Sequence, residues 1–200
     1  GPTGAGKSTI INLLMRYYDP TSGDILFNHH DVSNYSRNSV RDKIGIVLQE
    51  PWVYNGTIFE NIAYGNEEAT LDDVIIAAKK AMFHDTVMQF EDRYDSNASR
   101  LSLGEKQMLT IARALLLEKE IYILDEATSN LDSLTEYKIQ EAFQKITENH
   151  TSVVIAHRLH TIKDSKTIVV MKDGKIIEQG DHNDLMKTEG FYKKLYESQF

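Results

Sequence analysis

The sequence predicts an α/β fold in which a mainly parallel sheet is flanked by helices, with a helical subdomain inserted into it. Three observations carry that prediction. Short apolar, β-branched runs at 43–48 (KIGIVL), 121–124 (IYIL) and 152–156 (SVVIA) alternate with stretches of helical periodicity. Each run stops at polar residues, Gln49-Glu50, Asp125-Glu126 and His157-Arg158, as strands of an open α/β sheet do at their ligand-facing carboxyl edge. The chain also opens on Gly1-Pro2-Thr3-Gly4-Ala5-Gly6-Lys7-Ser8-Thr9, which reads G-x-x-x-x-G-K-S and runs straight into an apolar helical pattern.

Taken in order, Ile10, Ile11, Leu13 and Leu14 predict a helix from Lys7 to about Tyr17. Asp19-Pro20-Thr21-Ser22-Gly23 is a turn on composition, and residues 24–28 read as a short strand. KIGIVL is the next strand, closed by Gln49-Glu50-Pro51. From Glu67 the pattern turns helical: Leu71, Val74, Ile75 and Ala78 fall at i, i+3, i+4 and i+7, and Thr70 with Asp73 has the spacing of an N-terminal cap. Residues 67–118 therefore read as a helical insertion, ending in a helix over 108–117, between core segments 1–66 and 119–200. Ile121 to Leu124 is too short for a helix and suits a strand buried on both faces. Ser133 with Glu136 predicts a capping box for a helix whose apolar face is Ile139, Ala142, Phe143 and Ile146. Residues 166–171 and 175–179 flank Lys172-Asp173-Gly174 as a hairpin with a D-G turn, and two short helices follow, about 182–188 and 190–198.

Composition narrows the function. At 200 residues, 41% hydrophobic and 26% charged, the chain is long enough for a buried sheet and ordinary in make-up. A net charge of −8 argues against a nucleic-acid surface, which needs clustered Lys and Arg. Having no cysteine removes disulfides, thiolate catalysis and Cys-based metal sites. The seven histidines are scattered, and no run reaches the roughly 20 apolar residues of a transmembrane helix.

Chemistry concentrates in the polar edges. In the opening loop, glycines let successive N–H groups point at phosphate oxygens, Lys7 adds a movable charge and Ser8 offers a hydroxyl to Mg²⁺. The bland alternative is a glycine-rich surface turn. A phosphate loop hangs from a β-strand, and none precedes Gly1, so the sequence reads as truncated there. Asp125 suits Mg²⁺, directly or through water, while Glu126 suits polarisation of an attacking water; a solvated acidic turn is the alternative. Gln49, at the end of KIGIVL, is within the scope of either the metal or the water, or is a loop glutamine with a structural bond. His157 is either a structural histidine or a donor to a γ-phosphate. Ser102 and Gly104, in Arg100-Leu101-Ser102-Leu103-Gly104-Glu105-Lys106-Gln107, combine a serine, a glycine and a helix start, which makes an anion site or simply an S-x-x-E cap.

From Gly1 to about Gln199 the chain resembles the nucleotide-binding domain of an ATP-binding cassette (ABC) transporter, a P-loop NTPase. Six motifs stand in the family's order. Gly1–Thr9 is similar to the Walker A loop, Val47-Leu48-Gln49-Glu50 to the Q-loop, LSLGEKQ to the signature and IYILDE to Walker B. Ser129-Asn130-Leu131-Asp132 is similar to the D-loop and Ile155-Ala156-His157-Arg158 to the switch histidine. The stretch from Gln49 to Gly65 and the tail from Asp173 to His182 resemble exporters with membrane and nucleotide domains fused in one chain. The resemblance implies an ATPase that powers export of a drug, lipid or peptide, at the cytoplasmic face of the cell membrane, held there by its own transmembrane domain. ATP and Mg²⁺ are the implied ligands. It also implies pairing with a second nucleotide-binding domain, as a homo- or heterodimer, in which Ser102, Gly104 and Asp132 serve a nucleotide site completed by the partner.

Departures are as informative. The family signature reads LSGGQ; here Leu103 replaces the first glycine and Glu105 the glutamine. That motivates a second expectation, a domain that mainly binds ATP as one half of an asymmetric pair. A soluble cassette ATPase is a third, for which a coiled-coil insertion or tandem cassettes would be expected. The segment Tyr94 to Ser99 lacks the glycine- and glutamate-containing pattern that exporters present to the membrane domain. The family's adenine-stacking aromatic lies upstream of Walker A, so the fragment beginning at Gly1 is expected to bind ATP weakly and hydrolyse little of it.

Overall fold

The computed structural model describes residues 1–125, 131–156 and 159–198. Its first half contains α1 (Lys7–Leu14), β1 (Leu26–Phe27), β2 (His30–Asp31), α2 (Arg37–Arg41), β3 (Ile44–Val47), α3 (Ile58–Ala63), α4 (Leu71–Lys80) and α5 (His84–Val87). The second contains α6 (Leu103–Leu116), β4 (Ile121–Asp125), α7 (Ser133–Asn149), β5 (Thr151–Ile155), β6 (Ile168–Lys172), β7 (Lys175–Gly180), α8 (His182–Lys187) and α9 (Phe191–Glu197). The chain forms two compact units, Gly1–Arg41 with Ile155–Phe200, and Asp42–Val154.

In the unit 42–154, β3 pairs with β4 in parallel, from Ile44 opposite Ile121 to Val47 opposite Leu124, and β5 lies on the other side of β4. Tyr122, Ile123 and Leu124 are fully buried, as an apolar run without alternation requires. Gly45 is needed in β3 because a Cβ there would sit 2.6 Å from the Tyr122 ring. The ring's hydroxyl accepts from the Lys119 amide (3.1 Å) and donates to the Ala114 carbonyl (3.3 Å), so the buried polar atom is satisfied. Around the sheet, Ile58 and Ile62 of α3, Val74 and Ala78 of α4, Leu109 and Ile111 of α6, and Ile139, Phe143 and Ile146 of α7 form one core. Full burial of each large side chain contributes about 2 kcal/mol.

Helix starts follow local chemistry. The expected Thr70–Asp73 cap of α4 is a full capping box, and α3 and α6 have their own, Thr57 with Glu60 and Ser102 with Glu105. The box at Ser102 starts α6 five residues before the expected position 108. The expected Ser133–Glu136 box does not form. Asp132 caps α7 instead, its carboxylate accepting from the Thr135 amide at 3.0 Å, which leaves Ser133 as the first helical residue.

In the other unit, α1 ends at Leu14 rather than near Tyr17, because Arg16 adopts a left-handed φ of 51°. Its guanidinium donates to the carbonyls of Val32 and Tyr35, fastening the helix end to the segment after β2. The short strand expected at 24–28 is the first arm of a hairpin. Asn28 (φ 49°) and His29 (φ 67°) supply two successive positive φ values, as a tight two-residue turn demands. The same device, Asp173 (φ 50°) and Gly174 (φ 74°), closes the expected β6–β7 hairpin. Leu159, Ile168, Val170, Leu185 and Tyr192 form a small core under it.

Candidate functional site

The opening loop depends on glycine at three positions. Gly4 (φ 80°) and Gly6 (φ 99°) occupy left-handed backbone conformations that a side chain would strain. Gly1 passes so close to β6 that a Cβ would fall 2.1 Å from the Met171 carbonyl. The Ala5 carbonyl accepts from the Gly174 amide at 3.1 Å, so the hairpin turn of β6–β7 braces the loop from below. Helix α1 then starts with no side-chain cap, and its first helical bond runs from the Ile10 amide to the Gly6 carbonyl (3.2 Å). That bond is the first of the helix, and no acidic side chain occupies the first turn. Such an end favours an anion electrostatically and by hydrogen bonding. Lys7 Nζ folds back over the loop, donating to the carbonyls of Gly1 (2.6 Å) and Pro2 (2.8 Å). Ser8 and Thr9 are exposed beside it.

The strand-end residues belong to the other unit. Asp125 is the last residue of β4, one beyond the Val47–Leu124 pair, and is half-buried. Gln49 lies two residues past Val47 and is exposed. Parallel pairing puts both at the same edge of the sheet. The backbone around Gln49 is hydrogen-bonded on each flank: Gln107 Nε2 donates to the Leu48 carbonyl (3.1 Å) and Arg113 Nη1 to that of Trp52 (3.0 Å). Arg113 also donates from Nε to the Asn61 carbonyl (2.7 Å) and lies over the Trp52 and Tyr64 rings, 5.3 and 5.6 Å from their centroids. Burial lowers the Arg113 pKa, yet a guanidinium stays charged in proteins.

At the start of α6, Ser102 Oγ accepts from the Glu105 amide and Glu105 Oε2 accepts from the Ser102 amide at 2.7 Å. The carboxylate that replaces the family's glutamine is thus engaged in capping. Gly104 is buried against α7: a Cβ there would lie 2.3 Å from Thr135 Cγ2 and 3.3 Å from Leu131 Cδ2. Leu103 beside it is 56% exposed. Asp132 stands at the start of α7, its carboxyl held below the usual range by hydrogen bonds from Thr135.

The residues Gly1 to Gly6 thus form a loop that continues into the first turn of α1 at Lys7, Ser8 and Thr9, Gln49 and Asp125 share a sheet edge, and Ser102, Gly104 and Asp132 sit at two adjoining helix starts. Glu126 and His157, expected to act on water and phosphate, lie outside the described residues. Sequence reasoning passed over Gln107, Arg113 and Asn61. Gln107 is only 4% exposed, which its place in the polar run Glu105-Lys106-Gln107 does not signal.

Comparison with known proteins agrees with these features. Residues 1–129 match the model of the ABC transporter family. An uncharacterized ABC transporter ATP-binding protein of Bacillus subtilis is 48% identical over 204 residues, covering 100% of this chain and 34% of that protein. The fatty acid ABC transporter ATP-binding/permease protein of Mycobacterium tuberculosis is 47% identical over 199 residues, covering 98% of this chain and 32% of that protein. Among solved structures, a bacterial Atm1-family ABC exporter with ATP bound superposes with a TM-score of 0.92 at 42% identity, over 100% of this chain and 36% of that one. The chain spans about a third of the length of the curated relatives it matches. With a family model covering more than half of it, the chain belongs to the ABC transporter family, as an ATP-binding domain.

Proposed function

We propose that this domain binds ATP with Mg²⁺ at Gly1–Thr9 and hydrolyses it to drive an exporter to which it is fused. The observation that carries the reading is the loop itself: two left-handed glycines feed a helix start that has no side-chain cap and no acidic residue in its first turn, with Lys7 at that start. For ATP to enter, Lys7 exchanges the carbonyls of Gly1 and Pro2 for phosphate oxygens. The donor set fits Mg²⁺, since Ser8, Asp125 and Gln49 offer hydroxyl, carboxylate and amide oxygens and no softer ligand. When bound, that ion neutralises charge developing on the phosphates. Glu126 takes the proton of the attacking water, and His157 donates to the γ-phosphate as its charge grows.

Ser102 and Gly104, with Asp132, serve the nucleotide of a second nucleotide-binding domain in a homo- or heterodimer, and that domain's signature serves this one. The exporter reading is supported by its relatives, a fatty acid ABC transporter and an Atm1-family ABC exporter among them. Drug, lipid or peptide is the cargo class, and the domain works at the cytoplasmic face of the cell membrane through its transmembrane partner domain. Lys7→Ala in the full-length transporter is expected to abolish ATP binding. Glu126→Gln is expected to hold an ATP-bound dimer with turnover lost; unchanged hydrolysis in that variant would sink the assignment.

One observation favours the asymmetric alternative, in which this domain mainly binds ATP. Leu103 presents an exposed isobutyl group where the family keeps a glycine. The engagement of Glu105 in the cap counts the other way, because a capped carboxylate is not directed at a phosphate. Turnover per site in Leu103→Gly separates the two: a gain supports the alternative and no gain removes its basis.

A further inference from the structure

Gln49 is exposed, and among the described residues its side chain has no hydrogen bond that fixes where it stands. The backbone on both sides of it is fixed by one helix. Upstream, the Leu48 carbonyl accepts from Gln107 of α6; downstream, the Trp52 carbonyl accepts from Arg113 of the same helix. Arg113 also binds the carbonyl and side-chain oxygen of Asn61, which is fully buried. Asn61 in turn holds Tyr54 by both edges of its amide: Oδ1 accepts from the Tyr54 N–H and Nδ2 donates to the Tyr54 carbonyl, each at 3.1 Å. The stretch Leu48 to Tyr54 is therefore strapped at three carbonyls.

Gln107 is the informative member. It is 4% exposed, in a helix whose other buried residues are mostly apolar. An amide in that place is justified by the bond to Leu48, since a buried donor without a partner is costly. Gln107 and Arg113 stand about 9 Å apart along α6 at 1.5 Å per residue, and Ser102 caps the same helix five residues before Gln107. A helix of this length moves as a unit. Displacing the Gln49 segment therefore displaces Ser102-Leu103-Gly104, and the reverse.

Resting on the nucleotide chemistry proposed above, we infer that Gln107 and Arg113 are positioning residues for Gln49. They set its place at the sheet edge and tie that place to the orientation of the signature at the start of α6. Neither touches nucleotide; both act through the carbonyls of Leu48 and Trp52. Loss of either strap leaves the phosphate loop intact, so ATP binding persists while the step that needs Gln49 slows.

The test is a double-mutant cycle on ATP turnover in the full-length transporter. Gln107→Leu keeps volume and loses the donor. It is expected to lower kcat about tenfold, the loss of roughly one hydrogen bond of positioning, with KM for MgATP within about twofold of wild type. Gln49→Ala is expected to lower kcat at least as much. The pair together is expected to be no slower than Gln49→Ala alone, because Gln107 has nothing left to position. Arg113→Lys, which keeps charge and stem and loses the planar fork, runs the same cycle should Gln107→Leu fail to fold. Losses that multiply, or a Gln107→Leu enzyme with wild-type kcat, overturn the positioning role and leave the ATPase reading standing. A silent Gln49→Ala, or a wild-type transporter without hydrolysis, overturns the role of Gln49 itself and the inference with it.

Discussion

Replacing Gly104 by alanine adds one methyl group at a place where α6 and α7 nearly touch. The new Cβ would lie 2.3 Å from Thr135 Cγ2 and 3.3 Å from Leu131 Cδ2, well inside van der Waals contact. Rotating Thr135 offers no relief. Its Cβ carries a methyl and a hydroxyl of similar size, its χ1 is restricted in a helix, and its amide is bonded to Asp132. The helix ends must therefore part, at a cost of about 1–3 kcal/mol for overpacking. Gly104 has no positive φ to lose, so alanine recovers at most about 1 kcal/mol of helix propensity. A net loss of about 1–2 kcal/mol remains, a fall of roughly 2–8 °C in Tm for a domain of this size. Thr135→Ser deletes the offending methyl, leaving Leu131 Cδ2 and residue 135 Cβ, at 3.3 and 3.5 Å, as the nearest atoms. In that background Gly104→Ala is expected to be close to neutral. Thermal and urea unfolding of the four variants measures the coupling. An equal loss from Gly104→Ala in both backgrounds, or no loss in either, refutes the steric account of the second signature glycine.

The remaining predictions probe other contacts. Tyr94 is pushed up to about 12, by burial first and then by the Asp85 carboxylate, from the usual value near 10. Between those values the unfolded chain has released the proton and the folded chain keeps it, so stability is full below pH 10 and falls as pH rises toward 12; phenolate absorbance and urea midpoints followed across that window check both points. Glu178 of β7 accepts from the amides of Phe191 and Tyr192 at the start of α9, and Glu178→Ala is expected to cost about 1–2 kcal/mol and to raise hydrogen exchange in α9 selectively. Leu103→Gly, which restores the family residue at an exposed helix position, is expected to lower stability by roughly 0.5–1 kcal/mol through helix propensity alone, measured by urea unfolding. Glu105→Gln keeps a side chain able to close the capping box, and its urea midpoint is expected to stay within about 0.5 kcal/mol of wild type.

The fold was legible wherever one local rule was strong. Apolar runs without alternation marked β3, β4 and β5, and the D-G pair marked the β6–β7 turn. It was illegible where two rules competed or where tertiary contact decided. Asp132 and Ser133 are both good caps, and only the charge of the carboxylate favours Asp132. Asn28-His29 is a tight turn whose histidine is an uncommon occupant, so β2 had no signal and β1 seemed to stand alone. The early end of α1 depends on Arg16 reaching carbonyls of residues 32 and 35, a contact that no window of the sequence encodes.

The site divides in the same way, and the division explains which departures from the family pattern are tolerable. Motif spacing marked Gly1–Thr9 as a candidate phosphate site because the backbone freedom of glycine and the charge of lysine can be read from residue type alone. It could not rank the two signature positions, 103 and 104, which differ only in what they face. Position 104 is enclosed by Thr135 and Leu131, so any side chain is a collision. Position 103 faces solvent with an ordinary helical backbone, so within this unit a leucine fits without displacing anything. The first glycine of the family signature is therefore dispensable for folding. Its replacement is free to report on whatever docks against α6, whereas the second is fixed by the packing of α6 on α7 before any nucleotide arrives.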